Sequence, residues 1–224
     1  MAEPAEPIEP DETPLDAGAF GAWLEELAGA IAGERDAEVA CGTCTACCTA
    51  SQFIHIGPDE HDALLHIPRE LRFPAPGRPK GHVLLGYDEH GRCPMLVDGA
   101  CSIYEHRPRT CRTYDCRVFP ASGLVPDEPT KVEIARRAAH WRFEHPGTDD
   151  AVRHDAVRAA AAFLRDRAAD LPAGAVPSSP THLAVLATQV HEAFIAPAPG
   201  TGAAVVVEPA LDVVRRAIDR ASAG

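Results

Sequence analysis

CGTCTACC at residues 41–48 and CPMLVDGACSIYEHRPRTCRTYDC at residues 93–116 hold all eight cysteines of this 224-residue chain. The spacing runs Cys41-x2-Cys44-x2-Cys47-Cys48, then Cys93-x7-Cys101-x9-Cys111-x4-Cys116. A C-x2-C step lets two sulfurs on one tight turn converge on a single ion while the turn's N–H groups face the thiolates. Zinc knuckles and iron–sulfur loops both use it. The pattern therefore predicts thiolate chelation of zinc or iron by Cys41, Cys44, Cys47, Cys48, Cys93, Cys101, Cys111 and Cys116.

Disulfides are the competing use of eight cysteines. The opening stretch, MAEPAEPIEPDETPLD, carries six carboxylates, four prolines and no basic residue. It has neither the positive start nor the apolar run of a secretory signal, so the chain is expected in the cytoplasm, where thiols stay reduced. The acidic, proline-rich residues 1–15 read as a solvated, disordered leader. No stretch approaches the roughly 20 apolar residues of a spanning helix, so no membrane role is expected. A net charge of -12 argues against nucleic acid, whose binding rests on Lys and Arg neutralising phosphates. Metal ions are the partners the sequence implies, and it names no protein partner.

With 46% hydrophobic residues the chain can bury a core without disulfides. Helical periodicity over Leu15 to Ala37 places Phe20, Trp23, Leu24, Leu27 and Ile31 on one stripe. Residues 41–48 read as a tight loop or one turn of helix. A strand is predicted over Phe53–Ile56 and a short helix over Glu60–His66, with a loop through RFPAPGRPKGH. Val83–Tyr87 and Arg92–Val97 read as a hairpin. Further helices are predicted over Thr130–His145, Thr148–Ala169, Pro180–Ile195 and Pro209–Ala221, with a strand at Ala203–Val207. The fold class is α+β: a Cys-rich metal-binding domain over 16–125 with short strands, then a mainly helical region over 126–224.

Adjacent side chains usually diverge, so Cys47 and Cys48 are not expected to reach one small ion together. Eight thiolates could form two closed zinc sites of four cysteines each, or one four-iron cluster with four further cysteines in support. Cys111 and Cys116 lie about 140° apart on an ideal helix, so a helix starting at Pro108 must end or bend between them if they share an ion. Arg107, Arg109, Arg112 and Arg117 are candidates to offset thiolate charge, and Ile103, Tyr104, Tyr114 and Phe119 to form an apolar wall. Among His55, His66, His82, His90 and His106, His106 is the nearest substitute ligand should one cysteine be a spectator. His140, Trp141 and His145 read as a packing face rather than a pocket.

The pattern Cys41-x2-Cys44-x2-Cys47-Cys48, Cys93-Pro94, Cys101-Ser102-Ile103-Tyr104, Arg107-Pro108, Cys111-Arg112 and Cys116 resembles the YkgJ-type CxxCxxCC cysteine-cluster proteins, described as zinc- or iron-chelating domains. The resemblance covers residues 38–120 and implies chelation by all eight cysteines. A similar pattern occurs in flagellin lysine N-methylases, which implies an alternative: an iron–sulfur-dependent enzyme of redox or methyl transfer. Against it stand the absence of a radical-SAM C-x3-C-x2-C triad, of a G-x-G-x-x-G loop and of a G-x-S-x-G elbow.

Overall fold

A computed structural model describes residues 13–37, 39, 42–126 and 128–223. Cys41 and residues 1–12 of the expected leader lie outside the described residues. Leu15–Ala19 (β1) opens the described chain and runs into helix α1, Phe20–Ile31. The sequence predicts helix throughout 15–37; instead Gly18 takes a left-handed φ of 78° and β1 pairs in parallel with a strand far along the chain. No side chain at the start of α1 caps it. Asp150 supplies that acceptor from across the fold, taking the Gly21 N–H at 2.8 Å.

Phe20, Trp23, Leu24 and Leu27 are buried as the stripe requires, while Ile31 is 40% exposed because α1 ends there. They enter a large helical core with α4 (Val118–Ser122), α5 (Val132–His140), α6 (Thr148–Asp166), α7 (Pro180–Val190) and α8 (Leu211–Ala223). Ala156, Ala160 and Ala161 on α6 and Ala184 and Ala187 on α7 are fully or almost fully buried, and their small side chains let these backbones approach closely.

A second, smaller core gathers Ile56, Ala63, Ile67, Leu85 and Ile103. It sits against a three-stranded antiparallel sheet in the order β2 (Ile54–Ile56), β4 (Val83–Leu85), β3 (Arg72–Pro74). Helix α2, His61–His66, adds Ala63 to it. The hairpin predicted over 83–97 is not formed. Val83–Leu85 pairs with β2 and β3, and the Asp88 carboxylate ties off the next turn by accepting the N–H groups of His90 and Arg92. The hairpin lies later, joining β5 (Leu96–Val97) to β6 (Ala100–Cys101) through Asp98 and Gly99. Both turn residues have positive φ, 50° and 77°, as a two-residue type I′ loop needs, and Asp-Gly supplies it cheaply. The RFPAPGRPKGH loop likewise gives up its first three residues to β3.

Two of the predicted helices are shorter than their periodicity suggests. α5 stops at His140, and Trp141–Glu144 becomes β7, the parallel partner of β1 with Leu15 opposite Trp141. α7 stops at Val190; after a 3-10 turn over His191–Phe194, Ile195–Pro197 (β8) pairs with Ala204–Val206 (β9). The architecture is α+β, with helices dominating and the strands confined to small sheets. No helix among the described residues is long and apolar enough to cross a membrane.

Candidate metal centre

Thr45 opens a 3-10 turn over Ala46–Thr49, and the Thr49 hydroxyl donates back to the carbonyls of Thr45 and Ala46. The turn projects Cys47 and Cys48 to the same side, their sulfurs 4.0 Å apart. This corrects the divergence expected of neighbouring residues, because tight winding rather than an extended backbone carries them. At a Zn–S length of about 2.3 Å, a tetrahedron of sulfurs has edges of about 3.8 Å. The pair is therefore spaced as two ligands of one ion would be. It is also far beyond the roughly 2.05 Å of a disulfide, and Cys44, Cys47, Cys48, Cys93, Cys101 and Cys111 are free thiols.

The two cysteine segments are laced together through backbone. Cys93 N–H donates to the Cys48 carbonyl at 2.7 Å and Ser51 N–H to the Gly91 carbonyl at 2.9 Å. Cys101 is carried on β6 and Cys111 on α3, Arg109–Arg112, which begins after Pro108. α3 ends before Cys116, as the angular spacing of the two cysteines demands. Cys44, Cys47, Cys48, Cys93, Cys101, Cys111 and Cys116 consequently line one cavity of about 370 Å³. Cys41 lies outside the described residues.

This cavity lies between the two cores. Cys47, Tyr114 and Cys116 pack on the helical core, whereas Cys93, Met95 and Cys101 pack on the sheet core. Burial, with the neighbouring Cys47, Cys93 and Cys101, pushes the Cys111 thiol up to about 12, against a downward pull from Arg107. The hydrogen bond to Cys48 raises the Cys47 thiol furthest, with burial and the Cys48 charge adding to it. Burial and then the charges of Cys101 and Cys47 raise Cys93. Such thiols surrender protons only to a cation that takes their place, so binding here releases protons.

Of the four arginines singled out by sequence, Arg107 alone reaches the cavity wall, its guanidinium 3.6 Å from the Tyr104 ring centroid. Arg109 pairs with Asp59 at 2.7 Å, Arg112 with Asp36 at 3.4 Å and Arg117 with Asp115 at 2.8 Å. An acidic chain offers carboxylates that compete for its arginines. Arg137 on α5 lines the cavity instead. Ile103, Tyr104 and Tyr114 form part of the wall as expected, but Phe119 turns into the helical core. None of His55, His66, His82, His90 or His106 lines it; His106 turns outward to Asp62.

Trp141, like Arg137, has a part at the site that the sequence does not single out, since it reads there as a packing face. It lines the cavity, and its indole N–H donates to Cys116 Sγ at 3.2 Å. An aromatic residue ending a basic helix, RRAAHW, is its only sequence signal, and that fits any packing face equally well. Tyr114 Oη and Gln52 Nε2 are also buried at the cavity, next to each other and without any other hydrogen-bond partner. Burial, then the charges of Cys116 and Cys47, hold the Tyr114 phenol well above its usual range, while the Gln52 amide beside it pulls weakly the other way.

Residues 40–135 match the model of the CxxCxxCC family, described as "Putative zinc- or iron-chelating domain". The match includes every cysteine and extends through most of the first turn of α5, whose Ile134 closes one side of the cavity. No curated protein and no solved structure matches the chain. The seven described cysteines that face one cavity all fall within the segment that resembles the CxxCxxCC family model.

Proposed function

We propose that the protein chelates zinc or iron in one polynuclear thiolate centre, held by Cys41, Cys44, Cys47, Cys48, Cys93, Cys101, Cys111 and Cys116. One observation carries this reading: seven cysteines share a single cavity of about 370 Å³ rather than lying in two separate pockets. A lone tetrahedral ion uses four sulfurs and leaves no room between them. More thiolates and more space suit two ions with shared ligands or an iron–sulfur cluster. Zinc there would act as a cross-link, and a cluster would add one-electron transfer.

The centre would join the sheet core to the helical core, because its ligands are anchored on both. In this division of labour residues 16–125 bring the thiolates, and residues 126–224 bring the wall of Ile134, Arg137 and Trp141. So many thiolates suit a reducing compartment, and the cytoplasm is the proposed location. Metal ions are the proposed partners; a net charge of -12 leaves nucleic acid out.

A second reading has one observation in its favour. Tyr114 Oη and Gln52 Nε2, buried in the cavity wall with no partner but each other, are groups that an organic substrate could satisfy more fully. That would make the centre an iron–sulfur site of a redox or methyl-transfer enzyme.

Thiol titration of freshly purified protein tests the chelation reading. Eight thiols that react only after denaturation with a chelator support it. Eight thiols reacting at once in the native protein, or none after denaturation without reductant, would sink it.

A further inference from the structure

Asp62 and His66 stand one turn apart on α2, so both side chains leave the same face of that helix. His106 arrives beside them from the 3-10 turn Tyr104–His106. Its Nδ1 lies 2.8 Å from Asp62 Oδ2, and His66 Nδ1, 3.6 Å from Asp62 Oδ1, donates to the Asp62 backbone carbonyl at 2.9 Å, which leaves the His66 lone pair on Nε2. The two imidazoles stack face to face, centroids 3.5 Å apart and planes within 1°. One nitrogen of each ring and one carboxylate oxygen all lie within 4.8 Å of one another.

We propose that Asp62, His66 and His106 form a second metal site, for a borderline divalent cation such as zinc, cobalt or nickel, on the outer surface and separate from the thiolate cavity. Two imidazoles and a carboxylate are the donor set these ions accept when no thiolate is present. At metal–ligand lengths of about 2.0–2.2 Å the three donors must close to about 3.4 Å. Parallel rings aim their lone pairs along parallel lines, so the rings splay as the ion enters. Rotation about each Cβ–Cγ bond supplies this motion, and side chains 40% and 39% exposed have room for it. Asp62 is the shared anchor: the neighbouring His106, then the His66 charge, keep its carboxyl below the usual range, so it is ready as an anion. The ion would clamp α2 to the segment that leads from Cys101 to Cys111. The thiolate centre is not needed for this site, and the failure of either leaves the other standing.

Cobalt(II) titration of the full-length protein, followed in the visible and near ultraviolet, is the test. Cobalt on thiolates gives intense sulfur-to-metal charge transfer, whereas cobalt on imidazole and carboxylate gives only weak visible bands. One equivalent of the weak-band type is expected, with its affinity lowered about tenfold or more in His66→Ala, His106→Ala and Asp62→Asn. His90→Ala, at another exposed histidine, should leave it unchanged. Diamagnetic zinc should also move the His66 and His106 imidazole proton resonances away from their metal-free positions as the ring stack opens. Absence of weak-band binding up to millimolar cobalt would overturn the proposal. So would binding that survives all three variants, which would leave the cluster as a carboxylate–imidazole tether.

Discussion

The indole N–H of Trp141 points at Cys116 Sγ from 3.2 Å, so a residue of β7 reaches into the cysteine cavity as a hydrogen-bond donor. A donor of this kind spreads the charge of a metal-bound thiolate and fixes where the sulfur points. Trp141→Phe keeps an aromatic ring and deletes the donor. It is expected to weaken metal retention about tenfold in chelator competition and to lower stability by about 1 kcal/mol. Unchanged retention would make the contact simple packing.

Asp115, next to Cys116, is buried with Arg117 and accepts the Trp23 indole N–H at 2.8 Å. Removing Asp115 takes a buried carboxylate away from the Arg117 guanidinium and leaves the Trp23 indole N–H without its acceptor. Asp115→Ala should therefore cost about 3–5 kcal/mol in urea unfolding, and more than Asp59→Ala, which deletes an exposed pair with Arg109.

His154 stacks on Phe20 with centroids 4.2 Å apart and is held at about 4, chiefly by burial and then by Arg158. Its Nε2 faces the Pro120 carbonyl, which only accepts, so the proton sits there and Nδ1 accepts from His145 Nε2. Unfolded, the ring takes a proton near 6.5. The unfolded state thus binds more protons between about pH 6.5 and 4, and stability falls as pH drops through that window. The loss is roughly 3 kcal/mol when complete. His154→Phe, which preserves the stacking, should flatten this part of the stability–pH curve; an unchanged slope would place acid lability elsewhere.

Metal removal should act unevenly. The helical core holds α1, α6 and α7 together through its own apolar contacts, whereas the sheet core is small and leans on Cys93 and Cys101. Under hydrogen exchange, an added chelator is expected to strip protection from residues 54–56, 83–85 and 93–116 while α6 and α7 stay protected. Uniform loss would mean that the centre holds the whole chain.

Helices were more legible in the sequence than strands. α6 and α8 follow their 3.6-residue apolar stripe almost to the end, because each is long enough to be specified locally. β1 and β7 were hidden because they exist through pairing with each other across most of the chain, and no local pattern records that. Asp98-Gly99 is a legible turn signal, but it marks the end of a strand as readily as the loop of its own hairpin. At the site, the cysteines declared themselves by spacing. Trp141 and Arg137 did not, since only the folding of α5 and β7 beside the cavity gives them their place. The arginines near Cys111 were misleading because charge density in sequence does not say which carboxylate claims each one.

The chelation reading is tested most directly by anaerobic purification followed by an absorption spectrum and analysis for zinc, iron and acid-labile sulfide. A polynuclear thiolate centre predicts more than one metal ion per chain: two zinc ions without colour, or iron and sulfide in near-equal amounts with broad visible absorption. Protein that holds no metal, while all eight thiols remain reduced, would contradict it.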